Sequence, residues 1–121
     1  MRGIWLLLGG TWPLAVATVA LAHAVLTGSS LDGRSLPSNV EARVVLRFNS
    51  AIELGLSRVT LVDAEGSERL LPVQEPPPKP GHVAVTVPAL EPGAYGLHYR
   101  IFAVDGHVTE NVLRFTIAAP R

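Results

Sequence analysis

Three residues near the two ends of the chain could together hold a metal ion: His23, Asp105 and His107. His23 directly follows an Ala-x-Ala triplet ending at Ala22, which is typical of the site at which a signal peptidase cuts. Cleavage there would give His23 a free α-amine beside its imidazole, and these two nitrogens can chelate one ion. The sequence therefore predicts a bidentate ligand at the start of the mature protein.

Asp105 and His107 are separated only by Gly106. In an extended segment, side chains at positions i and i+2 point to the same side, so a carboxylate oxygen and an imidazole nitrogen would approach one point. The alternative is a plain Asp-Gly turn before a strand, and the pair taken alone favours that alternative. The predicted N-terminal histidine makes a shared metal site the stronger interpretation.

The combined donor set is three nitrogens and one oxygen. A tetragonal arrangement of N and O ligands suits Cu(II) or Ni(II), and Cu(II) stands at the top of the affinity order for divalent ions. Cu(I) and blue-copper sites need sulfur ligands, but the chain has no Cys and its single Met is Met1. Zinc stays open as an alternative, although it prefers a tetrahedral set. The expected ligand is one Cu(II) ion.

Residues 4–22 are almost wholly apolar and follow Arg2, as in a secretory signal peptide. We expect a signal peptide at 1–22 and one mature domain at 23–121, exported to the periplasm. A retained membrane anchor is the alternative, since about 20 apolar residues suffice to span a bilayer. Glycines and a proline within the stretch, and the lack of a basic cluster after it, favour the signal peptide.

The charge of the mature chain is close to balanced, with nine basic and ten acidic residues once Arg2 is removed. It has no basic stripe, so nucleic acid and anionic lipid are poor candidate partners. Without Cys there is no disulfide framework, and the hydrophobic core alone must stabilise an exported domain.

Several segments alternate apolar and polar residues with a period of two, the pattern of half-buried strands. They lie at 40–48, 58–62, 83–87, 95–102 and 113–117, with shorter apolar runs at 24–26 and 70–73. Gly and Pro turns separate them, and only 51–55 could form a helical turn. About seven short strands of this kind predict an antiparallel sandwich or barrel.

The two remaining histidines, His82 and His98, are expected at the surface. His98 alternates with Leu97 and Tyr99, which should face the core, so its own side chain should face outward. His82 should open a strand after a Pro-Gly turn. Whether either forms a second, weaker metal site is left open by the sequence.

Several short motifs of the mature chain recur together in a known family. They are His-Ala-Val-Leu at 23–26, Asp-Gly at 32–33, Pro-Gly-Ala-Tyr at 92–95, Tyr-Arg at 99–100 and Asp-Gly-His at 105–107. With them the chain resembles the CopC family of periplasmic copper-binding domains. The resemblance implies an all-β, immunoglobulin-like sandwich with Greek-key connections. It places the Cu(II) ligands on the amine and imidazole of His23, on Asp105 and on His107, and implies a membrane-embedded, CopD-like copper transporter as partner.

The expected function is therefore that of a monomeric binding protein, not an enzyme, which sequesters or delivers Cu(II) in copper homeostasis or resistance. One alternative is a copper redox enzyme, since lytic polysaccharide monooxygenases also hold copper through an N-terminal histidine. However, Asp105 would fill a coordination position that such an enzyme must keep free. Another alternative is a metal-free exported interaction domain, because a sandwich fold does not imply a function. The methionine-rich Cu(I) loop of some family members has no counterpart here.

Overall fold

The computed structural model describes residues 24–120, which form two facing β-sheets and one 3₁₀ turn. The strands are β1 (Leu26–Ser29), β2 (Leu36–Pro37), β3 (Ala42–Phe48), β4 (Arg58–Val62), β5 (Glu68–Leu70), β6 (His82–Val87), β7 (Gly93–Phe102) and β8 (Val108–Ala118), and the 3₁₀ turn is Leu54–Leu56. The predicted signal peptide at 1–22 lies outside the described residues, and so does His23. From residue 24 to residue 120, no helix has both the length and the apolar character needed to cross a membrane.

The strand order matches that of an immunoglobulin domain. One sheet has the order β1-β3-β6 and the other β2-β8-β7-β4-β5, which correspond to strands A-B-E and G-F-C-C′ with a short extra edge strand. The predicted immunoglobulin-like sandwich is confirmed. The structure has eight strands instead of about seven, because the two-residue strand β2 also pairs, in parallel, with the end of β8.

Several strand boundaries differ from the sequence prediction, and the start of β3 shows why. Strand β3 begins at Ala42, two residues later than the alternating pattern suggested, and Val40 is 47% exposed. The reason is a turn at Asn39, whose φ of 59° lies in the left-handed region and whose N–H donates to the Leu90 carbonyl oxygen at 2.8 Å. The apolar pattern therefore extends beyond the strand that it predicts.

The core is formed by the inward-facing residues of both sheets. The largest fully buried side chains are Leu46, Leu97, Ile101, Val44, Val59, Val83, Val85 and Val87. Leu97 lies two residues after Tyr95, at the position where antibody domains carry a disulfide cysteine. Apolar packing at Leu97 thus replaces a covalent link that this cysteine-free chain cannot form.

The residues between β3 and β4 cross from one sheet to the other and support the end of β7. Ile52 forms an isolated bridge with Ala103, and the Glu53 N–H donates to the Phe102 carbonyl oxygen at 2.8 Å. The Phe102 N–H in turn donates to the Ser57 hydroxyl at 3.0 Å. The 3₁₀ turn lies within this crossing, close to the helical turn expected at 51–55. The crossing therefore fixes the point at which β7 ends and its hairpin turn begins.

Tyr95 forms a tyrosine corner of the kind found in immunoglobulin domains, because its hydroxyl donates to the Glu91 carbonyl oxygen at 2.7 Å. Its ring stacks on Phe115 with 5.9 Å between the ring centroids.

Tyr95→Phe keeps the ring and removes the hydrogen bond, so we expect the free energy of unfolding to fall by about 1 kcal/mol, measured by urea denaturation.

Tyr99→Phe is the matched control for this substitution. The Tyr99 ring is buried against Phe48, burial raises the pKa of its phenol, and its hydroxyl makes no hydrogen bond within residues 24–120. We expect Tyr99→Phe to leave stability unchanged or slightly higher. Equal losses in the two variants would contradict a specific contribution from the Tyr95 corner.

Candidate metal centre

The hairpin turn between β7 and β8 carries two of the predicted ligands. The Gly106 N–H donates to the Ala103 carbonyl oxygen at 2.9 Å, and the Ala103 N–H donates to the His107 carbonyl oxygen at 2.8 Å. Gly106 has a φ of 93°, a conformation that glycine adopts without a steric penalty. The turn is thus closed by two backbone hydrogen bonds, with Asp105 at its tip and His107 at its exit.

Asp105 and His107 come together in this turn. The Asp105 Oδ1 accepts a hydrogen bond from the His107 backbone N–H at 3.0 Å and lies 3.1 Å from the His107 Nδ1. Both side chains remain about one-third exposed, at 32% and 40%. The expected reason for their proximity was wrong, however. Asp105 lies in a turn and not in an extended strand. The chain bends at Asp105-Gly106, and the hydrogen bond from the backbone N–H of His107 then holds the carboxylate beside the imidazole.

The separation of these two donor atoms fits a shared metal ion. With metal–ligand bonds of about 2.0–2.1 Å, two atoms 3.1 Å apart subtend an angle of roughly 100° at the ion. That angle corresponds to adjacent positions in either a square or a tetrahedral arrangement. The pair can therefore supply one imidazole nitrogen and one carboxylate oxygen to the same ion.

Two donors do not complete a site. Within residues 24–120, no three His, Asp or Glu side chains come close enough to hold one ion. A third histidine or carboxylate ligand for the Asp105–His107 pair would therefore have to come from outside that range. His23, the remaining predicted ligand, lies outside the described residues.

The start of the described chain and the hairpin turn are bound to the same short segment, residues 49–51. The Val25 N–H donates to the Asn49 Oδ1 at 2.8 Å, and the Asn49 N–H donates to the Val25 carbonyl oxygen at 3.1 Å. Two residues further on, the Ala51 carbonyl oxygen accepts the Val104 N–H at 3.1 Å. Ala24, the residue before Val25, is fully buried in the core. The start of β1 and the Asp105–His107 turn consequently share one end of the sandwich.

The role of Asn49 was not visible in the sequence. An Asn-Ser pair after an apolar strand signals that the strand ends, but it does not identify what the Asn side chain will bind. Its partner Val25 lies 24 residues earlier in the chain. Only the pairing of β1 with β3 brings the two together.

His98 and His82 lie on the outer faces of the two sheets, as predicted. The His98 Nε2 is 2.8 Å from the Glu110 Oε2, and the Arg100 Nε lies 4.0 Å from the other oxygen of the same carboxylate. His82 opens β6 opposite Arg47. In the described part of the chain neither histidine forms a three-ligand cluster with other metal-binding side chains.

Comparison with known proteins shows which solved structures share this fold. No match was found among curated protein sequences. The crystal structure of CopC from Methylosinus trichosporium OB3b is similar, with a TM-score of 0.65 and 24% identity over 82% of this chain and 97% of that one. PcoC from Escherichia coli, described as a methionine-rich copper resistance protein, gives a TM-score of 0.59 and 18% identity over 80% of this chain and 100% of that one. At these identities the likeness shows a shared fold.

Family membership is shown by a direct match of the sequence. The family model of the CopC domain matches residues 26–118, a range that includes Asp105 and His107 and spans all eight strands. This chain belongs to the CopC family.

Proposed function

We propose that this protein binds one Cu(II) ion in the periplasm and either sequesters it or delivers it to a partner. The ligands are the α-amine and imidazole of His23, with Asp105 and His107. The observation that carries the proposal is the 3.1 Å separation of the Asp105 Oδ1 and the His107 Nδ1 at the end of the sandwich where the described chain begins. Membership of the CopC family and the copper proteins among its structural neighbours support it.

Covalent geometry limits how far His23 can be from this end of the sandwich. Ala24 is fully buried, and its neighbour Val25 is held by Asn49 on both its N–H and its carbonyl oxygen. Consecutive Cα atoms are about 3.8 Å apart, so residue 23 is tied to a fixed point. The hydrogen bonds of Asn49 with Val25 and of Ala51 with Val104 place this point at the same end of the sandwich as the Asp105–His107 turn, which supports His23 as the remaining ligand.

The chemistry of the donor set supports Cu(II) as the bound ion. Two imidazoles, an amine and a carboxylate suit a tetragonal divalent ion, and the mature chain has no thiolate or thioether for Cu(I). A carboxylate in the fourth position also favours storage over catalysis, because a redox centre needs an open position for its substrate. We therefore propose binding and transfer of the ion, with no reaction performed on it.

The proposed site depends on export of the chain. We propose that residues 1–22 are a signal peptide, that 23–121 are the mature domain, and that a membrane-embedded, CopD-like transporter receives the copper from a monomeric protein. Before cleavage the nitrogen of His23 is an amide, which is a poor ligand because it carries no basic lone pair. Removal of the signal peptide is then the step that creates the bidentate ligand.

Substitution of either described ligand should weaken Cu(II) binding. Loss of a group that merely orients a metal ligand costs about 10–100-fold in affinity, so His107→Ala and Asp105→Ala should each cost about 100-fold or more. Affinity is measured by competition with a chelator of known strength. His98→Ala is the matched control, because it also removes a part-exposed histidine in contact with a carboxylate, and it should bind Cu(II) as the native protein does. Native affinity in both ligand variants would refute the site.

Blocking the amine should also abolish tight binding. A variant with one additional Ala before His23 converts the amine to an amide, and we expect a loss of about 100-fold or more. An ordinary α-amine has a pKa of about 8 and is largely protonated at pH 7, so the amine of His23 should release a proton when it binds the ion. Apparent affinity should therefore fall as the pH is lowered, and proton release on binding, measured by calorimetry in buffers of different ionisation enthalpy, should be smaller in the extended variant.

The control for the extended variant adds one Ala after Arg121, far from the amine in sequence, and should leave both affinity and proton release unchanged. Mass spectrometry of the exported protein must first show that the chain begins at His23. A different first residue, or equal binding by the two extended variants, would disprove the role of the N-terminal amine.

A further inference from the structure

We propose that Asn49 is a positioning residue for the Cu(II) site. Its side chain fixes the backbone of Val25 at a set distance from the Asp105–His107 turn. Val25 belongs to the N-terminal arm, residues 23–25, whose first residue is His23. This inference rests on the proposed function, since it describes how the two halves of that site are held together. Asn49 itself need not touch the ion.

The evidence begins with an unusual pairing at the end of strand β3. In an antiparallel ladder, every second pair of opposed residues exchanges two backbone hydrogen bonds. Val25 and Asn49 keep one of these, from the Asn49 N–H to the Val25 carbonyl oxygen at 3.1 Å. The other is made by a side chain, because the Val25 N–H donates to the Asn49 Oδ1 at 2.8 Å. Since β3 ends at Phe48, the amide side chain completes the pairing where the backbone leaves the sheet.

A bulge in β1 makes this pairing more important. Leu26 pairs with Phe48 and Gly28 pairs with Arg47, so Thr27 is an extra residue that interrupts the regular ladder. The residues before the bulge are therefore out of register with the rest of β1. Within the described chain the two hydrogen bonds of Val25 are the ones nearest in sequence to His23. One of the two depends on the Asn49 side chain.

The other half of the site is held by the same segment. The Ala51 carbonyl oxygen accepts the N–H of Val104, the residue that precedes Asp105. Two residues of chain span at most roughly 7 Å, so the segment from Asn49 to Ala51 is a short spacer between the arm and the turn. Release of the arm at Asn49 leaves the turn intact and removes only the fixed distance between them.

Substitution of Asn49 provides the test, in exported protein whose first residue is confirmed as His23. Asn49→Leu has a similar shape and no acceptor, and Asn49→Asp keeps an acceptor oxygen in the same place. We expect Asn49→Leu to bind Cu(II) about tenfold more weakly, the effect of one lost hydrogen bond. Its electron paramagnetic resonance spectrum should show fewer coupled nitrogens, because part of the N-terminal chelate dissociates. Asn49→Asp should restore both the affinity and the spectrum.

A control separates positioning from a general loss of stability. Thr27→Val removes another side-chain hydrogen bond between the same strands, from the Thr27 hydroxyl to the Arg47 carbonyl oxygen at 3.1 Å. It should leave the copper spectrum unchanged even if the melting temperature falls. If Asn49→Leu does not fold, hydrogen exchange of the native protein decides the matter. The Val25 amide must then be protected, and exchange as fast as in an unstructured peptide would overturn the proposal.

The outcomes distinguish this inference from the proposed function. If the native protein binds Cu(II) through nitrogen ligands and Asn49→Leu has the same affinity and spectrum, the positioning role is wrong and the binding function stands. If the native protein, with its mature N-terminus confirmed, does not bind Cu(II), the proposed function fails and the positioning role fails with it.

Discussion

The segment from Asn49 to Ala51 is the constraint on which the arrangement of this molecule depends. Here the chain leaves the three-stranded sheet and crosses to the five-stranded sheet, and on the way it hydrogen-bonds first to Val25 and then to Val104. Residues that lie about 80 positions apart in the sequence are thereby joined through one short crossing. The immunoglobulin order of strands makes this possible, because the start of the first strand and the final hairpin turn lie at the same end of the sandwich.

The fold could be predicted from the sequence because its signals are local and repeated. Strands β3, β7 and β8 follow the period-two pattern closely, and Leu97, Tyr99 and Ile101 are buried as that pattern requires. Strand β2 could not be predicted, since two residues carry no periodicity and its parallel pairing with β8 depends on the completed sheet. Val40 shows the opposite case, in which the pattern continues although the turn at Asn39 delays the strand.

The candidate site was predictable in part, for a reason that differs from the expected one. The sequence identified Asp105 and His107 as a pair, and the structure brings them within 3.1 Å. Strand alternation does not account for this proximity, because Gly106 turns the chain and the His107 N–H binds the Asp105 carboxylate directly. The Val25–Asn49 contact and the His98–Glu110 ion pair were both missed, because each depends on how the strands pair and no local pattern marks it.

The way in which the turn holds Asp105 and His107 has a physical consequence for metal affinity. The turn that carries Asp105 and His107 is closed by its own hydrogen bonds, so those two ligands lose little conformational entropy when an ion binds. On the proposed function, the remaining entropy cost falls on His23, because Ala24 is buried in the core and Val25 is already held by Asn49. On that function, release of the ion requires movement of His23 alone, and the Asp105–His107 turn stays in place. Such a division would suit the proposed transfer of copper to a partner, because neither Ala24 in the core nor the hydrogen bonds of Val25 need to be broken for release.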